Sequence, residues 1–245
     1  MKKFLIRSLS SLCFPWVAHA GPFMTEDTIP IEYGHVEMIP YSFLTKINIG
    51  SLIETPAAEM NVGVFPELQG HLIISPVVSI PRQGSAQYGY GDLEVGAKYR
   101  FVEETNILPQ MAFYPKVTLP SGDADLGTGL GGPTESAPLW FLKSVGSWKI
   151  SGGGGYTFSQ APHTFSYAFG GILFQKDLTE SLTLGGEFYG QGASLSRYGS
   201  TLIFTFGGNY NFTKNLALLF SAAHNIAGAK TLMGYIGLDY TWGPS

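Results

Sequence analysis

Cysteine is almost absent from this chain: the single thiol, Cys13, lies within the first twenty residues. Beyond that point neither a disulfide framework nor thiol chemistry can be argued. Charge is scarce as well. Asp, Glu, Lys and Arg together make up 13% of the 245 residues, against about 25% in an ordinary soluble protein. Long apolar runs are missing too. No window holds eighteen consecutive apolar residues, which excludes helical membrane spans. Basic residues are the scarcer sign, 14 Lys+Arg against 18 Asp+Glu. That balance disfavours nucleic acid or an anionic membrane surface as partner.

What is there begins with a basic head, Lys2, Lys3 and Arg7, followed by an apolar stretch over 9–17 and Ala18-His19-Ala20. These are the parts of a secretory signal peptide, with cleavage expected after Ala20. Pro15 and the serines 8, 10 and 11 leave too little apolar length for an anchor. Leu12 is too bulky for a lipoprotein site at Cys13. Without the leader, eleven basic residues face eighteen acidic ones, a net charge near −7. The remaining length suits one barrel or two small domains.

Past residue 20, alternation with period two dominates and helical spacing never persists. Over 91–102, Leu93, Val95, Ala97, Tyr99 and Phe101 share one face; Asp92, Glu94, Lys98 and Arg100 share the other. Over 202–212, Leu202, Phe204, Phe206 and Tyr210 oppose Thr205, Gly207 and Asn209; over 232–242, Ile236, Leu238 and Tyr240 oppose Tyr235, Gly237 and Asp239. Twelve such segments begin near His35, Ala57, Leu68, Gly91, Leu108, Ala137, Trp148, Ser166, Leu182, Thr201, Asn215 and Thr231. Each offers about ten residues, the length of a tilted membrane strand. The least clear is 137–146, where Trp140-Phe141-Leu142 places apolar residues on both faces.

Every second connection is short (66–69, 103–106, 146–147, 177–181 and 212–215), while 81–89, 120–136 and 192–200 are longer and rich in Gly, Pro and Ser. Outer-membrane barrels alternate periplasmic turns with outer loops in this way. A soluble sandwich or lipocalin-like barrel would instead fill its inward face with bulky apolar residues. Here the face opposite the apolar one carries Glu, Lys, Arg, Asn and Gln among many glycines. The expectation is an all-β fold: a transmembrane antiparallel up-and-down barrel of about twelve strands over 34–242, in a bacterial outer membrane. Residues 21–33 would be a periplasmic N-terminal segment, and 243–245 a tail. Lipid and lipopolysaccharide would surround the barrel.

The last strand, Tyr235-x-Gly237-x-x-Tyr240-x-Trp242, resembles the terminal-strand signal of such barrels. Gly237, Tyr240 and Trp242 would then engage the barrel-assembly machinery. Other wording is family-specific: Thr25-Glu26-Asp27, Tyr88-Gly89-Tyr90-Gly91-Asp92, Gly96-Ala97-Lys98-Tyr99-Arg100-Phe101 and Leu119-Pro120-Ser121-Gly122-Asp123. Together these resemble the outer-membrane porin or transporter family labelled the MetA-pathway of phenol degradation, over roughly 21–242. Glu26 departs from it, standing where a second aspartate is expected. The resemblance implies an outer-membrane channel for small molecules, aromatic or apolar compounds among them.

The sequence carries no recognisable catalytic motif. Past the leader the histidines are His35, His71, His163 and His224, none beside a G-x-S-x-G element. A hydrolase needs a nucleophile, base and orienting group together, so no catalytic residue is assigned. The run 152–155 lacks the Lys-Ser/Thr and helix of a phosphate loop. The stretch 121–127 lacks the spacing of a calcium loop. Hence no cofactor and no metal are assigned. The pore-lining candidates are Glu37, Glu59, His71, Glu94, Lys98, Arg100, Lys116 and Glu187. Mixed charges there could form a selective constriction or a salt-bridge network filling a narrow barrel, and the sequence supports both. The longest loop, with Asp123, Asp125 and Glu135, is the gating candidate; folded inward, its carboxylates would meet Lys98, Arg100 or Lys116. A closed structural or adhesive barrel with binding loops is the alternative to a channel, and a membrane-embedded hydrolase a weaker one.

Overall fold

The computed structural model describes residues 21–194 and 199–244; the expected leader, residues 1–20, lies outside the described residues. Fifteen hydrogen-bonded segments build one sheet. In chain order they are β1 Val36–Ile47, β2 Gly50–Phe65, β3 Leu68–Ile74, β4 Pro76–Pro81, β5 Gln87–Tyr90, β6 Leu93–Val102, β7 Gln110–Phe113 and β8 Lys116–Leu119. The run continues with β9 Thr134–Val145, β10 Trp148–Ser159, β11 Tyr167–Asp177, β12 Leu182–Gln191, β13 Thr201–Asn211, β14 Leu216–Ala227 and β15 Thr231–Trp242. Three neighbouring strands are each interrupted once, so β3/β4, β5/β6 and β7/β8 are halves, and twelve strands span the wall. All pairings between strands are antiparallel, and β1 pairs both β2 and β15. The sheet closes on itself, which leaves no open edge in lipid.

The interruptions have local causes. Pro115 brings no N–H to the ladder; its carbonyl accepts from Ala97 N instead, at 3.1 Å, while Tyr114 N donates to Pro138 O. Across the other two breaks Gly91 N donates to Ser75 O at 2.6 Å. The backbone stays hydrogen-bonded across the breaks, and Ser75, Asp92 and Tyr114 beside them are all three buried.

Alternation is the strongest sequence expectation, and the strands follow it. Tyr99, Phe101, Phe206, Ile236 and Tyr240 are exposed on the outside, while Glu94, Lys98, Thr205 and Tyr235 are buried inside. The ambiguous segment resolves the same way. Trp140 and Leu142 point inward, Leu139 and Phe141 outward.

Two expectations change. The second strand starts at Gly50 and not near Ala57, because 48–49 is a tight turn and Pro56 sits in a bulge. The register slips between Tyr41 and Phe43, so Thr55 and Pro56 stand opposite Ser42. A proline inside a sheet belongs at such an irregularity. Likewise the lumen is less wet than the polar face suggested. Inward positions also carry Ile39, Tyr41, Phe43, Tyr114, Trp140, Tyr189 and Tyr235, which form one buried cluster with Met24.

Candidate functional site

The lumen is crossed by residues 22–32, which pass inside the barrel without strand pairing of their own. A single backbone bridge, Tyr33 to Gly63, precedes β1. This strap is held by side chains from opposite walls. Glu187 on β12, 0% exposed, accepts the backbone N–H groups of Met24 and Thr25. From the β6–β8 side, Lys98 Nζ donates to Asp27 at 2.8 Å and Lys116 Nζ to Glu26 at 2.5 Å. Gln110 Nε2 donates to Thr28 Oγ1 at 2.6 Å, and Gln69 Oε1 accepts from Ile31 N at 2.9 Å.

The wall makes room for the strap. A Cβ at Gly171 would overlap Thr25 Oγ1, and one at Gly185 would stand 3.0 Å from the Phe23 ring. These inward glycines on β11 and β12 let the strap lie against bare backbone.

Most sequence-derived candidates converge on the opposite wall. His71 on β3 lies between two acids, its Nε2 3.1 Å from Glu94 and its Nδ1 3.4 Å from Glu59. Lys116 Nζ is 3.4 Å from the same Glu94 oxygen. Asn61, absent from the sequence-derived set, joins the group: its amide donates to Glu59 at 2.5 Å and Glu37 at 2.7 Å, and its oxygen meets His71 Nδ1 at 2.9 Å. Tyr114 lies under both ammonium groups, 5.1 Å from Lys98 and 4.5 Å from Lys116. Such stacking over a desolvated ring stabilises each cation by about 1–2 kcal/mol.

Arg100 stands apart. It reaches the turn between β2 and β3, bonding Glu67, with Gln110 Oε1 accepting from Nη1 at 3.0 Å. The guanidinium holds the Glu67 carboxyl below its ordinary range through that hydrogen bond.

The loop carboxylates do not meet the lumenal cations. Asp123 Oδ1 caps its own loop, accepting from Asp125 N at 2.8 Å, Asp125 is exposed, and Glu135 lies exposed near the start of β9. Glu26 and Asp27 from the strap take the places beside Lys116 and Lys98 that the carboxylates of loop 120–136 would have filled had it folded inward. The loop is instead anchored by Asp92, whose oxygens accept Gly122 N at 2.9 Å and Leu130 N at 2.8 Å. Gly122 and Gly129 allow that approach; a Cβ at Gly129 would stand 2.5 Å from Asp92 Oδ1. Thr25-Glu26-Asp27 was visible in the sequence as family wording, and residues 21–33 were expected as a periplasmic segment, whereas 22–32 run inside the barrel against lumenal side chains.

Two cavities flank the strap. One, towards the long loops, is lined by Met24, Glu26, Glu54, Glu94, Leu130, Trp140, Phe169 and Tyr189, and measures about 80 Å³. The other, towards the short turns, is lined by Asp27, Ile31, Glu37, Glu59, Lys98, Asn209 and Asp239, and measures about 200 Å³. One water needs roughly 10–15 Å³ on this measure. Both cavities exceed that several-fold, and the strap parts them.

A closed barrel with a polar-aromatic lumen fits a known group of proteins. A family model matches residues 44–236. The chain belongs to the MetA-pathway of phenol degradation family. No curated protein matches it by sequence. The barrel has counterparts among solved structures. An outer membrane channel from Pseudomonas putida F1 superposes with a TM-score of 0.69 at 14% identity, covering 88% of this chain and 98% of that one. The translocator domain of autotransporter NalP from Neisseria meningitidis gives 0.55 at 10% identity over 84% and 88%. The KdgM porin, solved with oligogalacturonate, gives 0.53 at 11% identity over 84% and 99%. These likenesses establish the outer-membrane barrel fold.

Proposed function

We propose that this protein is a passive outer-membrane channel for small molecules, aromatic or apolar compounds among them, whose passage is set by the strap at 22–32. The observation that carries this reading is the pair of cavities on either side of the strap. The strap is held by side-chain contacts, with no ladder to break. The aromatic wall of the loop-side cavity, Trp140, Phe169 and Tyr189, suits flat apolar solutes.

Residues 1–20 are removed on export in this reading, and the short turns face the periplasm. Tyr240 and Trp242, stacked at 5.6 Å on the outer face, sit where an assembly factor or lipopolysaccharide would meet them. The reading is not catalytic.

The test compares single-channel conductance of the parent with a variant lacking 22–31, both checked for folding. The deletion is expected to raise conductance several-fold and to admit phenol-sized solutes in liposome swelling. A folded deletion variant that conducts no better than the parent would overturn the gating role. Silence from both would favour the alternative, a closed barrel displaying binding loops, which the ring-filled middle of the lumen also suits.

A further inference from the structure

The turn-side cavity is rich in carboxyl groups. Its lining includes Glu26, Asp27, Glu37, Glu59 and Asp239 against the ammonium of Lys98 and, once residues 1–20 are removed, the new α-ammonium of Gly21. Asp27 is matched by Lys98 and Glu26 by Lys116, so two of these acids already have a cation. The other three, Glu37, Glu59 and Asp239, come from three adjacent strands, β1, β2 and β15. Register places them together. Glu37 lies opposite Asn61 on one side and Thr241 on the other, and Glu59 and Asp239 sit two residues along, on the same inner face.

Around these three acids the side-chain cations are committed elsewhere. Lys98 reaches the strap, and Arg100 reaches Glu67. His71 touches Glu59 but shares its ring with Glu94. Asn61 supplies N–H groups to Glu37 and Glu59, which orients them without neutralising them. An independent sign comes from Glu59. It is 2% exposed, and its Oε2 has no hydrogen-bond partner although it lines the cavity wall. A buried carboxylate oxygen without a protein donor is costly, and a cation drawn into the cavity is one partner that removes the cost.

We infer that this vestibule binds a small monovalent cation, an alkali ion or the ammonium head of a primary amine, and makes the channel cation-selective. In this proposal the cation is labile and partly hydrated, as it is beside the acidic rings of cation channels. This inference deepens the channel reading but has a readout of its own.

The test uses the full chain in planar bilayers under a potassium chloride gradient. The reversal potential is expected to show potassium preferred over chloride several-fold. The preference should fall towards unity in the triple variant Glu37→Gln, Glu59→Gln, Asp239→Asn, with Glu59→Gln alone as a milder version. Chloride preference in the parent, or unchanged selectivity in both folded variants, overturns the proposal. If no current flows, binding decides. Methylammonium chloride should raise the midpoint of heat-induced gel-shift above that in tetrabutylammonium chloride at equal ionic strength, and Glu59→Gln should abolish the difference. Equal midpoints for the parent would overturn the cation site; a difference without current would retain it and overturn only the channel.

Discussion

At the scale of single residues, the strap rests on what is missing from the wall. Gly171 and Gly185 carry no side chain where Thr25 and Phe23 need room, and Glu187 offers both oxygens to two backbone N–H groups. Gly171→Val should push Thr25 out of its seat while leaving the barrel ladder intact. The expected result is a several-fold faster reaction of a cysteine placed at Thr25 with a small maleimide added to the folded protein. A rate equal to that of the Gly171 parent would show that the strap does not depend on this seat. Charge at single positions was partly legible. Inward phasing identified Glu94, Lys98 and Lys116 as lumenal because a Lys or Arg facing lipid costs about 2–4 kcal/mol near the midplane. Their partners were not legible: Glu26 and Asp27 lie some seventy to ninety residues away along the chain.

Among elements, β13 offers the cleanest test of phase. Phe206 is exposed on the outer face, and Asn209, three residues on, lines the turn-side cavity. Phe206→Arg should block assembly and Asn209→Arg should be tolerated, judged by the yield of folded barrel in the membrane. Equal yields would mean the strand is turned the other way. The connection 103–109 carries a latch outside the span. Glu104 accepts Ser144 N at 2.8 Å and Ser144 Oγ at 2.9 Å, with Lys143 at 3.3 Å. The Ser144 amide, first among these contacts, holds the Glu104 carboxyl below its usual value of 4.5. A lowered carboxylate stabilises the fold above its unfolded value and loses that contribution as pH falls through the folded one. Hydrogen exchange at Ser144, corrected for intrinsic rate, should therefore accelerate below about pH 4 and stay flat above pH 6. Glu104→Gln should flatten the profile. A parent profile without the acid rise would remove the latch. Element ends were less legible than element phase. The start of β2 was masked by Pro56, whose bulge reads in sequence as a loop.

For the whole molecule, closure between β1 and β15 decides stability, because every strand then has two neighbours. Detergent alone should leave the barrel folded, so the unheated protein is expected to migrate differently from the boiled one on gels. Identical mobility would contradict a closed barrel. Fold class and strand number were legible because lipid imposes period two on every spanning strand, and that rule needs no knowledge of neighbours. The connections told the same story less evenly, since 48–49 and 228–230 on the loop side are as short as the turns. What the inside of the barrel holds belongs to the tertiary structure. Inward residues answer to one another across the lumen, between strands and a strap far apart in the chain. Period two says that Glu187 and Lys98 face inward; only closure of the wall brings them to the same segment.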